Sequence, residues 1–376
     1  MNRLPPEVIS SCAGFVSNAD PRPIVPLTHV CRYWRESISS NPGNWKSIGI
    51  GWKKLVPLCL ERAGAVPLVV DIAVPDSKGD ETFLNSLLPH VPRIGSLRLT
   101  GYSSVETLAD DLPGFFATPM LRLASLELQQ TAEPAQLFPS AHSPIPPLFL
   151  AVAELKSLSL TQTPLYHTLF TITSIVELVL IGYTSPFHLD TFLGLLASNP
   201  GLELVVLDVQ FVTSSVETPP ATKVPLPRLR HLSITCSKAI DSRGLLSSIS
   251  LPRGVRLEVE FTPNQPPHLA SFLPSPPTAI QNLLTPITTV KTQLTPHELH
   301  LFGNGSVFTL RSSKAPAVVH SELVLFPSTD VRELHTNIYP HAYGDVMSRV
   351  MAQLPALEIL AISQTPFPRC LPSALL

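Results

Sequence analysis

Charge is what this chain most lacks. Lysine, arginine, aspartate and glutamate make up 14% of its 376 residues, and the net charge is −2. A nucleic-acid surface needs clustered Lys and Arg, and no basic run or RNA-binding signature is present, so nucleic acid is not expected as a partner. Long apolar runs are missing too. Mean hydropathy is high at +0.24, yet no window reaches the ~18 uninterrupted apolar residues of a membrane helix. The most apolar stretch, 202–212, is interrupted by Glu203, Asp208 and Gln210. The opening MNRLPPEV has no signal-peptide core. Together these predict a protein without membrane contact, cytoplasmic and/or nuclear.

Chemical motifs are equally scarce. The five cysteines, Cys12, Cys31, Cys59, Cys236 and Cys370, form no CxxC pair and are odd in number. A disulfide framework or zinc site is therefore not expected, and the cysteines read as small apolar residues. There is no GxGxxG, Walker A or GxSxG pattern. His297-Glu298-Leu299-His300 is one residue short of HExxH and reads as the start of a strand. Asp110-Asp111 precedes Leu-Pro-Gly, where paired acids cap or solvate a turn. No catalytic residue, metal or cofactor is assigned, and the chain is not read as an enzyme. A hydrolase triad assembled in space would leave no such motif, and a deep pocket with converging polar groups would be its mark.

Proline, by contrast, is abundant. Its 41 copies recur between apolar bursts, which predicts many short elements joined by stiff corners. Asn304-Gly305-Ser306, formally a glycosylation sequon, reads as a turn between two strands.

The N-terminal 50 residues form a unit of their own. Pro5 and Pro6 suit a first helical turn, and Glu7 sits where the helix dipole favours an anion. Val8, Ile9, Cys12, Phe15 and Val16 then make an apolar stripe, ended by Asn18 and Asp20. Ile24, Leu27, Cys31, Trp34 and Ile38 continue at steps of three and four. Pro26 splits this stretch into a short turn and a longer helix with Thr28 as N-cap. Asn41-Pro42 ends it, and Trp45 folds back as a plug.

Three pieces here, L-P-P-E at 4–7, V-C-R-x-W-R at 30–35 and N-P-x-x-W at 41–45, resemble the F-box. The resemblance implies a helical module that docks on the adaptor subunit of cullin-RING (SCF-type) ubiquitin ligases. Carried over residue by residue, the adaptor face is Leu4, Pro5, Val8, Ile9, Leu27, Val30 and Trp34. The family usually has two bulky apolar residues where this chain has Cys12 and Ala13. That departure implies a weaker adaptor contact, at ~0.8 kcal/mol per lost buried methylene.

After the module, 53–62 reads as a helix closed by Gly64, and 67–74 as a buried strand bounded by Pro67 and Pro75. Residues 83–90 read as helical. The segments LERAGAVPLVVDI and LLPHVPRIGSLRL resemble a large fungal (mushroom-type) family of F-box proteins with degenerate leucine-rich repeats.

One pattern then recurs: apolar, two residues, Leu, one residue, apolar. It appears as Ile94-Leu97-Leu99, Leu123-Leu126-Leu128, Leu155-Leu158-Leu160, Ile175-Leu178-Leu180, Leu204-Leu207-Val209, Leu229-Leu232-Ile234 and Leu357-Leu360-Ile362. The first six middle positions step by 29, 32, 20, 29 and 25 residues, near leucine-rich-repeat periods. A single repeat cannot bury its apolar face, but stacked neighbours can. Helical returns are predicted at 187–198, 241–250 and 343–354, and further strands at 300–311 and 322–326. The Pro/Thr-rich stretch 262–296 reads as an irregular return.

The fold expected is therefore α/β (α+β). A small helical F-box-like module (1–50) and a helix/strand bridge (51–92) lead into an irregular leucine-rich-repeat-like solenoid with parallel strands (93–376). The function expected is substrate receptor of a ubiquitin ligase, binding the adaptor and an unidentified protein target. The alternative is a protein-binding scaffold with a degenerate F-box. Candidate target contacts lie between the repeat leucines: Arg98, Glu127, Ser159, Val179, Asp208 and Ser233.

Overall fold

Alternation of apolar and polar residues along short segments produces a mixed α/β chain whose strands are mostly parallel. The computed structural model describes residues 4–16, 22–74, 81–102, 115, 118–130, 154–163, 172–182, 187–208, 211–212, 223–236, 239–261, 287–294, 297–303, 306–312, 333–336 and 358–362. The chain divides into two units, Met1–Ser185 and Pro186–Leu376.

The first unit opens with helix α1 (Pro6–Val16). The Pro5 carbonyl accepts from the amides of Val8 and Ile9 at 3.1 and 3.2 Å, as a double-proline start allows. Helices α2 (Ile24–Leu27) and α3 (Arg32–Ser39) follow. Thr28 does not cap α3. It stands at the end of α2 and its hydroxyl donates back to the Val25 carbonyl at 2.7 Å. The N-cap of α3 is Cys31, in extended backbone without a side-chain cap bond. A 3-10 turn, Pro42–Trp45, is capped by Asn41, whose side chain accepts from the Gly43 amide.

Strand β1 (Ser47–Gly49) comes next. A 3-10 stretch, Ile50–Leu55, precedes helix α4 (Val56–Ala63), so the predicted helix starts three residues late, next to Pro57. Gly64 closes it at φ +52, the left-handed geometry that suits glycine. Strand β2 (Leu68–Ala73), helix α5 (Glu81–Leu87) and a 3-10 turn, Leu88–Arg93, lead into β3 (Ile94–Tyr102). Strands β4 (Ser125–Gln130), β5 (Ser157–Thr161) and β6 (Glu177–Ile181) complete the unit.

Strands β1 to β6 pair in sequence order, each parallel to the next. Val70, Leu97, Leu126, Leu158 and Leu178 line up across five strands, with Ile72, Leu99, Leu128, Leu160 and Leu180 two residues on. All ten are buried. Burial of each stabilises the stack by about 1.5–3 kcal/mol.

One glycine fixes the end of β3. Gly101 has φ +82, and a Cβ there would lie 3.0 Å from the Val74 carbonyl oxygen. The β3–β4 register shifts between Thr100 and Tyr102. The bulge aims Tyr102 inward, where its hydroxyl meets that of Thr163 at 2.6 Å. Burial pushes the Tyr102 hydroxyl above the usual phenol range, and the Thr163 bond opposes the shift. Gly101→Ala should destabilise the chain by about 1–3 kcal/mol in a urea melt, because it adds both positive-φ strain and a backbone clash.

The second unit contains β7 (Phe187–His188), α6 (Leu189–Ser198), β8 (Leu204–Asp208), β9 (Phe211–Val212), β10 (Val224–Pro225), β11 (His231–Cys236) and α7 (Ala239–Ser248). Then come β12 (Ile249–Ser250), β13 (Arg256–Phe261), β14 (Ile287–Leu294), β15 (His297–Gly303), β16 (Ser306–Ser312), β17 (Glu333–Thr336) and β18 (Ile359–Ile362). Helices α6 and α7 occupy the first two predicted returns. The third, 343–354, lies outside the described residues, as do the predicted strand 322–326 and the carboxylate pair Asp110-Asp111.

Within this unit β8, β11, β13 and β16 are parallel neighbours. The parallel expectation fails next to them. Strand β15 runs antiparallel to both β16 and β14, with Gly303 opposite Ser306, as a two-residue Asn-Gly connection between strands favours. The segment 300–311, read as strand interrupted by a turn at Asn304-Gly305-Ser306, thus belongs to two antiparallel strands. Strand β14 falls inside the stretch read as an irregular return and pairs in parallel with β17, which pairs with β18. Thr and Val side chains suit such a strand, a signal that the prolines on either side hid.

Candidate functional site

The apolar residues of the N-terminal helices divide into two sets. Ile9, Ala13, Ile24, Ile38 and Trp45 are buried and hold the module together. Leu4 (53% exposed), Val8 (42%), Phe15 (87%), Val16 and Val30 (59%) are presented outward. The stripe read on α1 is therefore split between a packed side and an open side.

Polar contacts set the inward side. Asn41 Nδ2 donates to the Ser10 hydroxyl, and Asn44 Nδ2 donates to the same hydroxyl at 3.1 Å and to the Ile38 carbonyl at 3.2 Å. Trp45 Nε1 also donates to the Ile38 carbonyl, at 3.2 Å. The Arg62 guanidinium stacks 4.4 Å from the Trp45 ring centroid, tying α4 to the plug. Tyr33 donates its hydroxyl to the Leu4 carbonyl at 2.8 Å, which fixes the start of α1 beside α3.

Of the seven residues assigned to the adaptor face, Leu4, Pro5, Val8 and Val30 are exposed, and Leu27 and Trp34 are half-buried. Ile9 lies inside the module at 1% exposure and has no surface to offer. Cys12 is exposed and Ala13 is buried, so the two departures from the family pattern act differently. The first thins the outer face; the second shrinks the interior. Phe15 belongs to the same outward side of α1, and its place in the stripe was the signal for it.

The cysteines make the split measurable. Cys12 and Cys31 are exposed, and Cys59 is buried in α4. Burial pushes the Cys59 thiol up to about 11, against a smaller lowering by Arg62. Of these three, Cys12 and Cys31 should be modified first by a thiol reagent at pH 8. Cys59 should react about a hundredfold more slowly than an unperturbed thiol, because its raised pKa leaves little thiolate. Mass mapping of timed samples reads this directly.

The candidate target contacts lie on the sheet face opposite the leucines. Arg98, Glu127, Ser159 and Val179 fall in one cross-strand row, with Asp71 beside Arg98. Arg98 Nε is 3.2 Å from Glu127, and its Nη1 is 3.9 Å from Asp71. All three side chains are partly exposed, so these pairs order the row and add at most ~1 kcal/mol each.

In the second unit Ser233 pairs with Val206, while Asp208 pairs with Thr235. Asp208 therefore does not occupy the row position equivalent to Ser233. The repeat there is Leu202-Val205-Leu207, all three buried, and Leu204 is half-buried. The segment 202–209 carries the apolar spacing in two registers two residues apart, the earlier with Val205 in place of the middle leucine, and packing selects that earlier one. Middle positions 178, 205 and 232 are then evenly spaced by 27 residues. Next to Ser233, Glu258 is buried and accepts from Arg256 Nε at 2.6 Å.

Among the described residues, no group of three or more His, Cys, Asp or Glu side chains is placed to share a metal ion. No helix among them is long and apolar enough to cross a membrane. No protein-family profile matches the chain, and no curated protein matches it in sequence.

Proposed function

We propose that this chain is the target-binding subunit of a cullin-RING ubiquitin ligase. In this reading the N-terminal helices are an F-box that docks on the adaptor through Leu4, Pro5, Val8, Leu27, Val30 and Trp34. The strand-rich remainder is a leucine-rich-repeat-like solenoid whose outer sheet face holds a protein target. The subunit acts by positioning. It raises the effective concentration of a target lysine near a conjugating enzyme docked elsewhere on the ligase, which requires no catalytic residue of its own.

The observation that carries the reading is the outward exposure of Leu4, Val8 and Val30 on a module whose Ile9, Ile24, Ile38 and Trp45 are packed inside. An apolar set of this kind is stabilised when a partner covers it, by about 1.5–3 kcal/mol for each fully buried side chain. The F-box resemblance of the same residues names the partner. The test is reconstitution: mixed with purified adaptor and cullin, the chain should co-elute with them on size exclusion.

The exposed Cys12 favours a second reading, a protein-binding scaffold that has left the ligase system. It predicts target capture without adaptor capture. Ubiquitin transfer to a captured target, dependent on this chain, would eliminate it.

A further inference from the structure

Two arginines at the starts of neighbouring strands converge on one turn. Arg93 immediately precedes Ile94, and Arg122 immediately precedes Leu123, so they hold the same repeat position 29 residues apart. Parallel pairing of β3 with β4 places both at the entry end of the strands. There each reaches the same turn. Arg93 Nη2 donates to the Val66 carbonyl and Arg122 Nη1 to the Ala65 carbonyl, both at 3.4 Å. Gly95 lets that turn approach, since a Cβ on it would lie 2.9 Å from the Pro67 side chain.

The two guanidiniums are close enough for Arg122 to add to the burial that lowers Arg93 below the ordinary arginine range. His90 stands on the other side, with its Nδ1 3.1 Å from Arg93 Nη1. Burial and then Arg93 lower this histidine as well, so a neutral ring accepts from the arginine. Neither arginine forms an ion pair with a carboxylate among the described residues. Glu154 holds the corresponding position one strand further along and pairs with neither. Arg93 Nε is buried and has no hydrogen-bond partner. Like charges side by side, with long carbonyl contacts and a buried donor that has no partner, suit an anionic acceptor.

We infer that Arg93 and Arg122, with His90 beside them, form a binding site for a phosphate dianion, free or carried as a monoester, at the entry end of β3 and β4. Two adjoining planar forks suit a tetrahedral dianion, which accepts several charge-assisted bonds at once. The site lies within the first unit, and its readout is independent of adaptor docking.

The test is calorimetric titration of the full chain, in chloride buffer at fixed ionic strength, with inorganic phosphate and separately with O-phosphoserine. Saturable binding at one site is expected. Arg122→Gln, at an exposed position, should keep the fold and weaken binding about tenfold or more. Arg93→Lys, which keeps the charge and removes the fork, should weaken it as well. O-phosphoserine binding as tightly as phosphate assigns the site to a monoester carried on a larger molecule. More than tenfold weaker O-phosphoserine binding assigns it to free phosphate. Absence of saturable binding to either probe, or binding that Arg122→Gln leaves unchanged, overturns the inference.

Discussion

Trp45→Ala should remove about 3–5 kcal/mol of stability, the largest loss expected from one substitution in the N-terminal module. Three features set the magnitude. The indole is 1% exposed, so truncation leaves a cavity where the 42–45 turn meets α1, α3 and α4. The donor to the Ile38 carbonyl is lost, although Asn44 still donates there. The Arg62 guanidinium loses the ring on which it stacks. Typical domains are stable by only 5–15 kcal/mol, so the variant should unfold at a much lower urea concentration. Trp45→Phe keeps most of the volume and should lose less than half as much. An Ala variant within 1 kcal/mol of the parent would mean that the plug does not hold the module closed.

Val8→Asp and Ile9→Ala should separate the two sides of α1. Val8 is 42% exposed and Ile9 is 1% exposed, although they are neighbours in sequence. Asp at position 8 lies near the helix start, where a negative charge is tolerated, so its stability should stay within about 0.5 kcal/mol of the parent. It would place a carboxylate in an apolar interface, and adaptor affinity should fall by about a hundredfold or more. Ile9→Ala should behave in the opposite way. It should lose about 2–5 kcal/mol of stability, and the protein that remains folded should bind the adaptor with little change. A thermal melt paired with an adaptor pull-down distinguishes the outcomes. Equal behaviour of the two variants would show that α1 has no distinct outer face.

Much of this was legible from the residues, for identifiable reasons. The double proline, the apolar steps and the Asn-Pro stop are local signals, and α1, α3 and the Trp45 plug follow from them. The repeat leucines likewise mark strands whose pairing in parallel, in sequence order, comes from stacking.

What the sequence left open depends on tertiary contacts. Ser10 is only a short side chain in the sequence, yet it receives two asparagine side chains that arrive from 31 and 34 residues later. Thr28 has the chemistry of an N-cap but spends its hydroxyl on the preceding turn. At 202–209 the leucine-centred register fits the pattern better, and only burial shows that the Val205-centred one is used. The convergence of Arg93 and Arg122 on one turn has no local signature, because the parallel pairing of β3 with β4 brings the two to one end.

The central claim is that Leu4, Val8 and Val30 form a seat for the ligase adaptor. It is tested most directly by titrating the purified full chain, and its Val8→Asp variant, with purified adaptor by biolayer interferometry. The account predicts saturable one-to-one binding by the parent and none by a variant that melts at the same temperature. A folded parent that fails to bind at adaptor concentrations up to about 100 μM, or a variant that binds equally well, would contradict it.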